Sequence, residues 1–167
     1  MALTITHSLC LLLAVGADFS VADDPCQAYL DVEAKVQCGP DGYPLKFGYP
    51  NCERFTQSEQ NGYFDAVGMK WLDCTRSCLI DKITAMVDKK PYPDCSTLQS
   101  EAFASHVDCY VGCGFCDVFC NIASGLARTY SYADFLSTEA MQQIIDVAAQ
   151  CGTGYCGLPN LLNLLGR

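Results

Sequence analysis

Three cysteines in the second half of the chain have a spacing that could support chemistry. Cys109, Cys113 and Cys116 form a C-x-x-x-C-x-aromatic-C motif, a spacing that can hold the iron–sulfur cluster of radical chemistry with S-adenosylmethionine. Cys113 and Cys116 also have the C-x-x-C spacing of redox centres. Both motifs lack their structural context, because the sequence has no strand–helix repeats and begins with an export signal. We therefore predict structural disulfides at these positions.

A second candidate for chemistry is the segment around His106. His106-Val107-Asp108 is similar to the active-site helix of secreted phospholipases, where a histidine activates water and the next residue, an aspartate, binds calcium. Here Val107 follows the histidine, Asp108 lies about 100° further round the helix, and no glycine-rich calcium loop precedes the segment. We expect a partly buried structural histidine. We also expect no catalytic residue, no metal and no cofactor, with a divergent phospholipase as an alternative.

Composition limits the class of protein that could carry these motifs. The chain has 167 residues, 13 cysteines and 19 acidic against 10 basic residues, a net charge of −9. This length accommodates one domain with one core. A strongly acidic chain is a poor partner for nucleic acid and for anionic membrane surfaces. So many cysteines in a short chain are typical of secreted, disulfide-rich proteins.

The N-terminus predicts export and accounts for the odd cysteine. Residues 9–17 are almost continuously apolar, long enough for a signal-peptide core but too short to span a bilayer. Small residues at Ser20 and Ala22 predict a mature chain that starts at Asp23, with a cut after Gly16 as the alternative. Either cut removes Cys10 and leaves twelve cysteines. We predict a signal peptide over 1–22, one disulfide-rich domain over 23–157 and a tail over 158–167.

Helical spacing of apolar residues predicts the architecture. The expected helices are a short one between Cys26 and Cys38, then 62–89, one opening at Ser96 with a capping box to Gln99, 116–128 and 138–150. Residues 39–51 hold glycine and proline too densely for a helix and predict a packed loop. Gly112 and Gly114 are expected to bend the junction between two helices. In the last helix Met141, Ile144, Ile145 and Ala148 are expected to face inward, with Gly152 as its stop. No segment has the period of two of a strand, so the predicted class is all-α.

Cysteine spacing adds a geometric prediction. Cys74 and Cys78 lie four residues apart, as do Cys109 and Cys113, so each pair projects from one helix face. Contacting positions of an antiparallel helix pair keep a constant index sum, which is 187 for Cys78 with Cys109 and for Cys74 with Cys113. We predict these two bridges in a central antiparallel hairpin of a compact, disulfide-stapled bundle. The twelve disulfide candidates are Cys26, Cys38, Cys52, Cys74, Cys78, Cys95, Cys109, Cys113, Cys116, Cys120, Cys151 and Cys156. Cys116 is expected to pair with Cys151 or Cys156.

Residues 52–116 resemble one known family. The residues that carry the resemblance are Cys52, Phe64-Asp65-Ala66-Val67-Gly68-Met69-Lys70, Cys78, Cys95-Ser96-Thr97-Leu98-Gln99, Cys109-Tyr110 and Cys116. They are similar to the core of stanniocalcins, which are secreted helical glycoprotein hormones. The resemblance implies a non-catalytic signalling protein linked to calcium and phosphate balance or to inhibition of extracellular metalloproteases. It also implies a bridge between Cys78 and Cys109. Cys74, Cys113 and Cys120 are additional to that pattern, and the chain has no Asn-x-Ser/Thr sequon.

These observations lead to a functional expectation. We expect a secreted, extracellular protein that binds a receptor or a protease, without nucleic acid and without membrane insertion. An even cysteine count leaves no thiol for a covalent dimer, so a non-covalent homodimer stays open. A venom-type toxin acting on a channel or receptor is the main alternative. The tail ends in Gly166-Arg167, a sequence that can be processed to an amide, and its leucines are expected to dock onto the helices.

Overall fold

The computed structural model describes residues 24–130 and 138–152, which are entirely helical apart from their connections. The helices are α1 (Gln27–Val36), α2 (Tyr49–Gln60), α3 (Ala66–Met86), α4 (Cys95–Gly112), α5 (Phe115–Thr129) and α6 (Thr138–Cys151), and a π-helical turn, Pro44–Gly48, leads into α2. No strand occurs within the described ranges. The predicted all-α class is confirmed. The predicted export signal over 1–22 and the predicted tail over 158–167 lie outside the described residues.

The connection before α2 differs from the sequence prediction. Residues 39–51 were expected to form a loop, but Pro44 starts the π-helical turn and Pro50 stands in the first turn of α2. A proline costs little there, because the first N–H groups of a helix have no intrahelical partner. The prolines in this segment therefore mark the starts of helical turns rather than a loop. The sequence prediction did not include α2 for this reason. The expected inward packing of this segment is correct, since Tyr43 is buried.

The start of α4 also differs, because the capping residue is an aspartate. Asp94 Oδ1 accepts hydrogen bonds from the backbone N–H groups of Ser96 (3.0 Å) and Thr97 (2.9 Å). The Ser96 hydroxyl donates to the same oxygen, so Ser96 is not the cap that the sequence predicted. These hydrogen bonds hold the pKa of Asp94 well below its usual range. The Asp94 carboxylate is the capping group rather than the Ser96 hydroxyl, because charge-assisted hydrogen bonds are stronger than neutral ones.

α3 is the central helix and contributes to two apolar clusters. Near its end, Ile83 and the following Val87 pack with Tyr29 and Val32 of α1 and Leu98 of α4. Near its start, Trp71 and Leu72 pack with Phe55 of α2 and Ile122 of α5. Phe64, which lies just before α3, packs in the same cluster. The helix predicted over 62–89 is present as α3, although the apolar residue Val67 near its start is 41% exposed.

α4 and α5 meet at a sharp corner. Gly114 has φ +87°, a left-handed conformation that glycine adopts without steric cost, and the two helix axes differ in direction by 103°. The bend predicted from Gly112 and Gly114 is thus present. Within the described residues no single helix is long and apolar enough to cross a bilayer; only this bent pair passes such a test.

α6 presents a different face to the core from the one predicted. Met141 and Ile145 are exposed, by 39% and 55%, whereas Val147 is buried. Gln143, Val147 and Cys151 are spaced by four residues and form the inward face. Two contacts fix this rotation: the Cys116–Cys151 disulfide and a hydrogen bond from α4 to Gln143. The prediction from apolar spacing was wrong for Met141 and Ile145, because these contacts outweigh it, whereas Ile144 and Ala148 are partly buried. Gly152, with φ +67°, follows the helix as expected.

Gly125 provides a test of the packing between α5 and the segment before α3. A Cβ added there would lie 2.5 Å from Phe64 Cε1 and 2.8 Å from the backbone oxygen of Tyr63. We expect Gly125→Ala to lower the free energy of unfolding by about 1–3 kcal/mol, because the backbone oxygen cannot rotate away. Gly112→Ala is the matched control, since no atom lies within 4 Å of its added Cβ, and we expect it to be neutral or slightly stabilising. Chemical denaturation of both variants measures the difference, and equal effects would contradict the tight contact.

Candidate functional site

Two disulfides lock α3 and α4 together one helical turn apart. Cys78 is bonded to Cys109 and Cys74 to Cys113, with Cα–Cα distances of 5.6 and 5.7 Å. These are the pairs that the constant index sum predicts. Two bridges at successive turns fix both the distance and the register of the helices. We call residues 66–113, from the start of α3 to the residue Cys113 that directly follows α4, the bridged hairpin.

The other described cysteines are also bonded. Cys26 pairs with Cys52, Cys38 with Cys95 and Cys116 with Cys151. Cys120 is disulfide-bonded as well, and the candidate Cys156 lies outside the described residues. A protein with this many disulfides belongs to an oxidising compartment, which is typical of extracellular proteins.

The bonding pattern decides the chemistry of the cysteine motifs. Cys109, Cys113 and Cys116 each bond a different distant cysteine, so none offers the thiolate that a cluster ligand must be. Cys113 and Cys116 are not bonded to each other and do not form a redox pair. The group Asp24, Cys26 and Glu53 has ligand atoms close enough for a metal. Because the Cys26 sulfur is used in a disulfide, only two carboxylates are left there, and we assign no metal to it.

His106 lies in an aromatic cluster between three parts of the chain. Its Nε2 is 2.7 Å from Tyr43 Oη, and its Nδ1 is 3.2 Å from Gln143 Oε1 of α6. The rings of Phe103 and Tyr110 on α4 lie beside it, at centroid distances of 5.6 and 5.8 Å. Both ring nitrogens therefore have partners from other elements.

These contacts determine the protonation of the histidine. Burial lowers the pKa of His106 to about 4, although the hydrogen bond with Gln143 acts in the opposite direction. A carboxamide oxygen can only accept, so Nδ1 carries the proton and Nε2 accepts from the Tyr43 hydroxyl. Burial raises the pKa of Tyr43 as well, which keeps that hydroxyl protonated. The imidazole is neutral, and both of its nitrogens are engaged.

The aspartate of the phospholipase-like segment lies away from this cluster. The side chain of Asp108 is 69% exposed, and its carboxylate is 4.0 Å from Lys82 Nζ of α3. A histidine with both nitrogens engaged and an aspartate in solvent do not form the paired base and calcium ligand of a phospholipase. The geometry agrees with the structural role predicted for His106.

The two helices of the bridged hairpin expose more acidic than basic side chains, the exposed bases being Lys70 and Lys82. Four carboxylates are exposed along its two helices: Asp73, Asp81, Glu101 and Asp108. Asp73 is paired with Arg76 at 2.7 Å, and Asp108 lies near Lys82. Asp81 and Glu101 have no ion-pair partner among the described residues. We call these four residues the acidic face. These charges lie on the two helices that the double disulfide connection holds in register.

Two partners of His106 were not identified from the sequence. Tyr43 and Gln143 lie 63 and 37 residues away from it along the chain. The only available signal was that Tyr43 belongs to an aromatic-rich segment expected to pack inward, and nothing marked Gln143. Comparisons with protein-family models, with curated proteins and with solved structures found no match to this chain.

Proposed function

We propose that this protein is a secreted, non-catalytic signalling or inhibitory protein, similar to stanniocalcins, that acts by binding an extracellular protein partner. The observation that carries the proposal is the double disulfide connection of the bridged hairpin. A surface held in one conformation before binding loses little entropy when a partner docks, so rigidity favours affinity. The proposed export signal over 1–22 would deliver the chain to the compartment in which these bridges form.

The acidic face supports a protein partner with a basic surface. Its charges lie on two helices whose register is fixed, which is the arrangement that gives electrostatic complementarity its specificity. The bridge between Cys78 and Cys109 further supports the likeness to stanniocalcins, because the resemblance implies the same pairing. The engaged, neutral His106 argues against the phospholipase alternative.

The test begins with secretion of the full chain. Cells that express it should release it into the medium with Asp23 as its first residue. The purified product should then inhibit an extracellular metalloprotease or change phosphate uptake by epithelial cells, without hydrolysing phospholipid. Retention inside the cells would overturn the proposal, as would calcium-dependent lipid hydrolysis that His106→Ala abolishes. Block of a channel current without either expected response would favour the toxin alternative.

A matched pair of variants tests the surface. Asp81→Asn with Glu101→Gln removes two unpaired charges of the acidic face, and we expect the response to need about tenfold more protein. Asp31→Asn with Asp117→Asn removes two exposed charges from α1 and α5 and is expected to leave the response unchanged. Equal loss in both double variants would contradict the assignment of the acidic face and would indicate a general effect of net charge.

A further inference from the structure

The segment between α3 and α4 is an exposed loop that is held at both ends and carries two adjacent lysines. We call residues 87–94 the dilysine loop. Val87 at its start is only 1% exposed, and Cys95 directly after it is bonded to Cys38. Between these anchors, Asp88, Lys89, Lys90 and Pro91 are all exposed and lie outside any helix. The loop tip is therefore accessible to another protein, while its two ends are fixed to the fold.

The loop differs from every other basic position in the described chain. The remaining lysines and arginines all lie within helical segments: Lys35, Lys46, Arg54, Lys70, Arg76, Lys82 and Arg128. An endoprotease binds its substrate as an extended strand through main-chain hydrogen bonds. A helix must unwind before it can bind in that way, whereas an exposed loop tip is a preferred site of proteolytic cleavage.

The two lysines are not equivalent. Lys90 is followed by Pro91, whose nitrogen has no hydrogen and lies in a ring, so the bond after Lys90 is a poor substrate for hydrolysis. The ammonium group of Lys90 also lies 5.4 Å from the ring centroid of Tyr92. Lys89 has no ion-pair partner within the described residues, and the bond after it joins two ordinary residues. The favoured bond is Lys89–Lys90.

We propose that Lys89–Lys90 is a cleavage site for an extracellular serine endoprotease of trypsin type, whose acidic specificity pocket accepts the Lys89 ammonium. The serine oxygen attacks the carbonyl carbon of Lys89, the carbon–nitrogen bond breaks, and the nitrogen of Lys90 leaves with a proton as a free amine. Water then hydrolyses the acyl-enzyme, which leaves a carboxylate on Lys89 and restores the serine. This proposal rests on the export that is part of the proposed function, but not on the proposed binding partner or on the acidic face.

Cleavage here converts one chain into two without separating them. Three disulfides connect the parts before and after the cut: Cys38–Cys95, Cys74–Cys113 and Cys78–Cys109. The bridged hairpin keeps its register, and only the dilysine loop gains free ends. The product is a two-chain protein with the same helices and a new carboxylate and amine at the loop tip.

Limited digestion of the full secreted chain with trypsin tests the site. The first product should gain the mass of one water and stay a single band without reductant. After reduction it should give two fragments, one ending at Lys89 and one beginning at Lys90. A first cut at Lys35, at Arg128 or at any other bond would overturn the proposal, as would complete resistance at trypsin levels that digest an unfolded protein.

Three variants sharpen this test. Lys89→Gln should slow the first cut by about tenfold or more, since the next available bonds need local unfolding. Lys90→Gln should still be cut after Lys89, and the matched helical control Lys82→Gln should be cut at the rate of the parent chain. Circular dichroism should be the same for all three variants, because each replaces an exposed side chain. Equal cleavage rates for Lys89→Gln and the parent would refute the site.

Discussion

Removing both disulfides of the bridged hairpin should destabilise the protein by more than the sum of the two single removals. Each bridge joins α3 to α4, and the two lie one helical turn apart. When one is removed, the other still closes the chain between the two helices and limits the unfolded ensemble. Only the double removal releases that long loop, whose cysteines are at least 31 residues apart. The stabilising effects of the two bridges are therefore coupled.

The expected sizes follow from loop-closure entropy. Either Cys78→Ala with Cys109→Ala, or Cys74→Ala with Cys113→Ala, should lower the free energy of unfolding by about 2 kcal/mol. All four substitutions together should cost about 5 kcal/mol or more, which is comparable to the whole stability of a small domain. Denaturant titration followed by circular dichroism measures each value, and loss of the folded baseline in the fourfold variant also agrees with the prediction.

A distant bridge supplies the control for this coupling. Cys26–Cys52 joins the start of α1 to α2 and closes a loop of similar length, with a sequence separation of 26. Removing it together with Cys74–Cys113 should give the sum of the single effects, because the two loops share no residues. If the destabilising effects of removing the two hairpin bridges were also additive, the proposed coupling would be wrong. Each bridge would then not compensate for loss of the other by keeping the loop between α3 and α4 closed.

The hairpin could be predicted because its geometry is local. An α-helix has a fixed rise and rotation per residue, so Cys74 and Cys78 must share a face, and so must Cys109 and Cys113. Antiparallel packing then leaves only one pairing with both bridges in the same register. The bridges Cys26–Cys52 and Cys38–Cys95 follow no such rule. They depend on the path of the chain through the π-helical turn, and the sequence did not predict that path.

The surroundings of His106 could be predicted only in part. Its helical position and partial burial follow from the apolar spacing of α4. Its partners come from distant segments, and the rotation of α6 that brings Gln143 to it is set by the Cys116–Cys151 bridge. Apolar spacing indicated a face of α6 made of Met141, Ile144, Ile145 and Ala148, of which Met141 and Ile145 are exposed. A periodic pattern identifies a helix well, but tertiary contacts decide which of two similar faces is buried.

The stability of the protein should fall as the pH drops from about 6.5 to about 4, because of His106. The unfolded chain binds a proton at the ordinary histidine pKa of about 6.5, whereas burial keeps the folded imidazole neutral down to a pKa of about 4. Above this window the imidazole is neutral in both the folded and the unfolded state, so protonation of His106 does not reduce the free energy of unfolding. Within the window the unfolded state binds more protons, and acid favours unfolding. The loss across the window is on the order of 3 kcal/mol.

Comparison with His106→Gln isolates this contribution, since carboxylates titrate similarly in both proteins. The difference in free energy of unfolding between parent and variant should shrink by that amount as the pH falls from about 6.5 to about 4. A difference that stays flat would show that the imidazole is not held neutral. Tyr43→Phe is the matched control: it removes the hydroxyl that donates to Nε2 but keeps the ring. It should cost about 1 kcal/mol at neutral pH and leave most of the acid sensitivity in place, because burial rather than the hydroxyl keeps the imidazole uncharged.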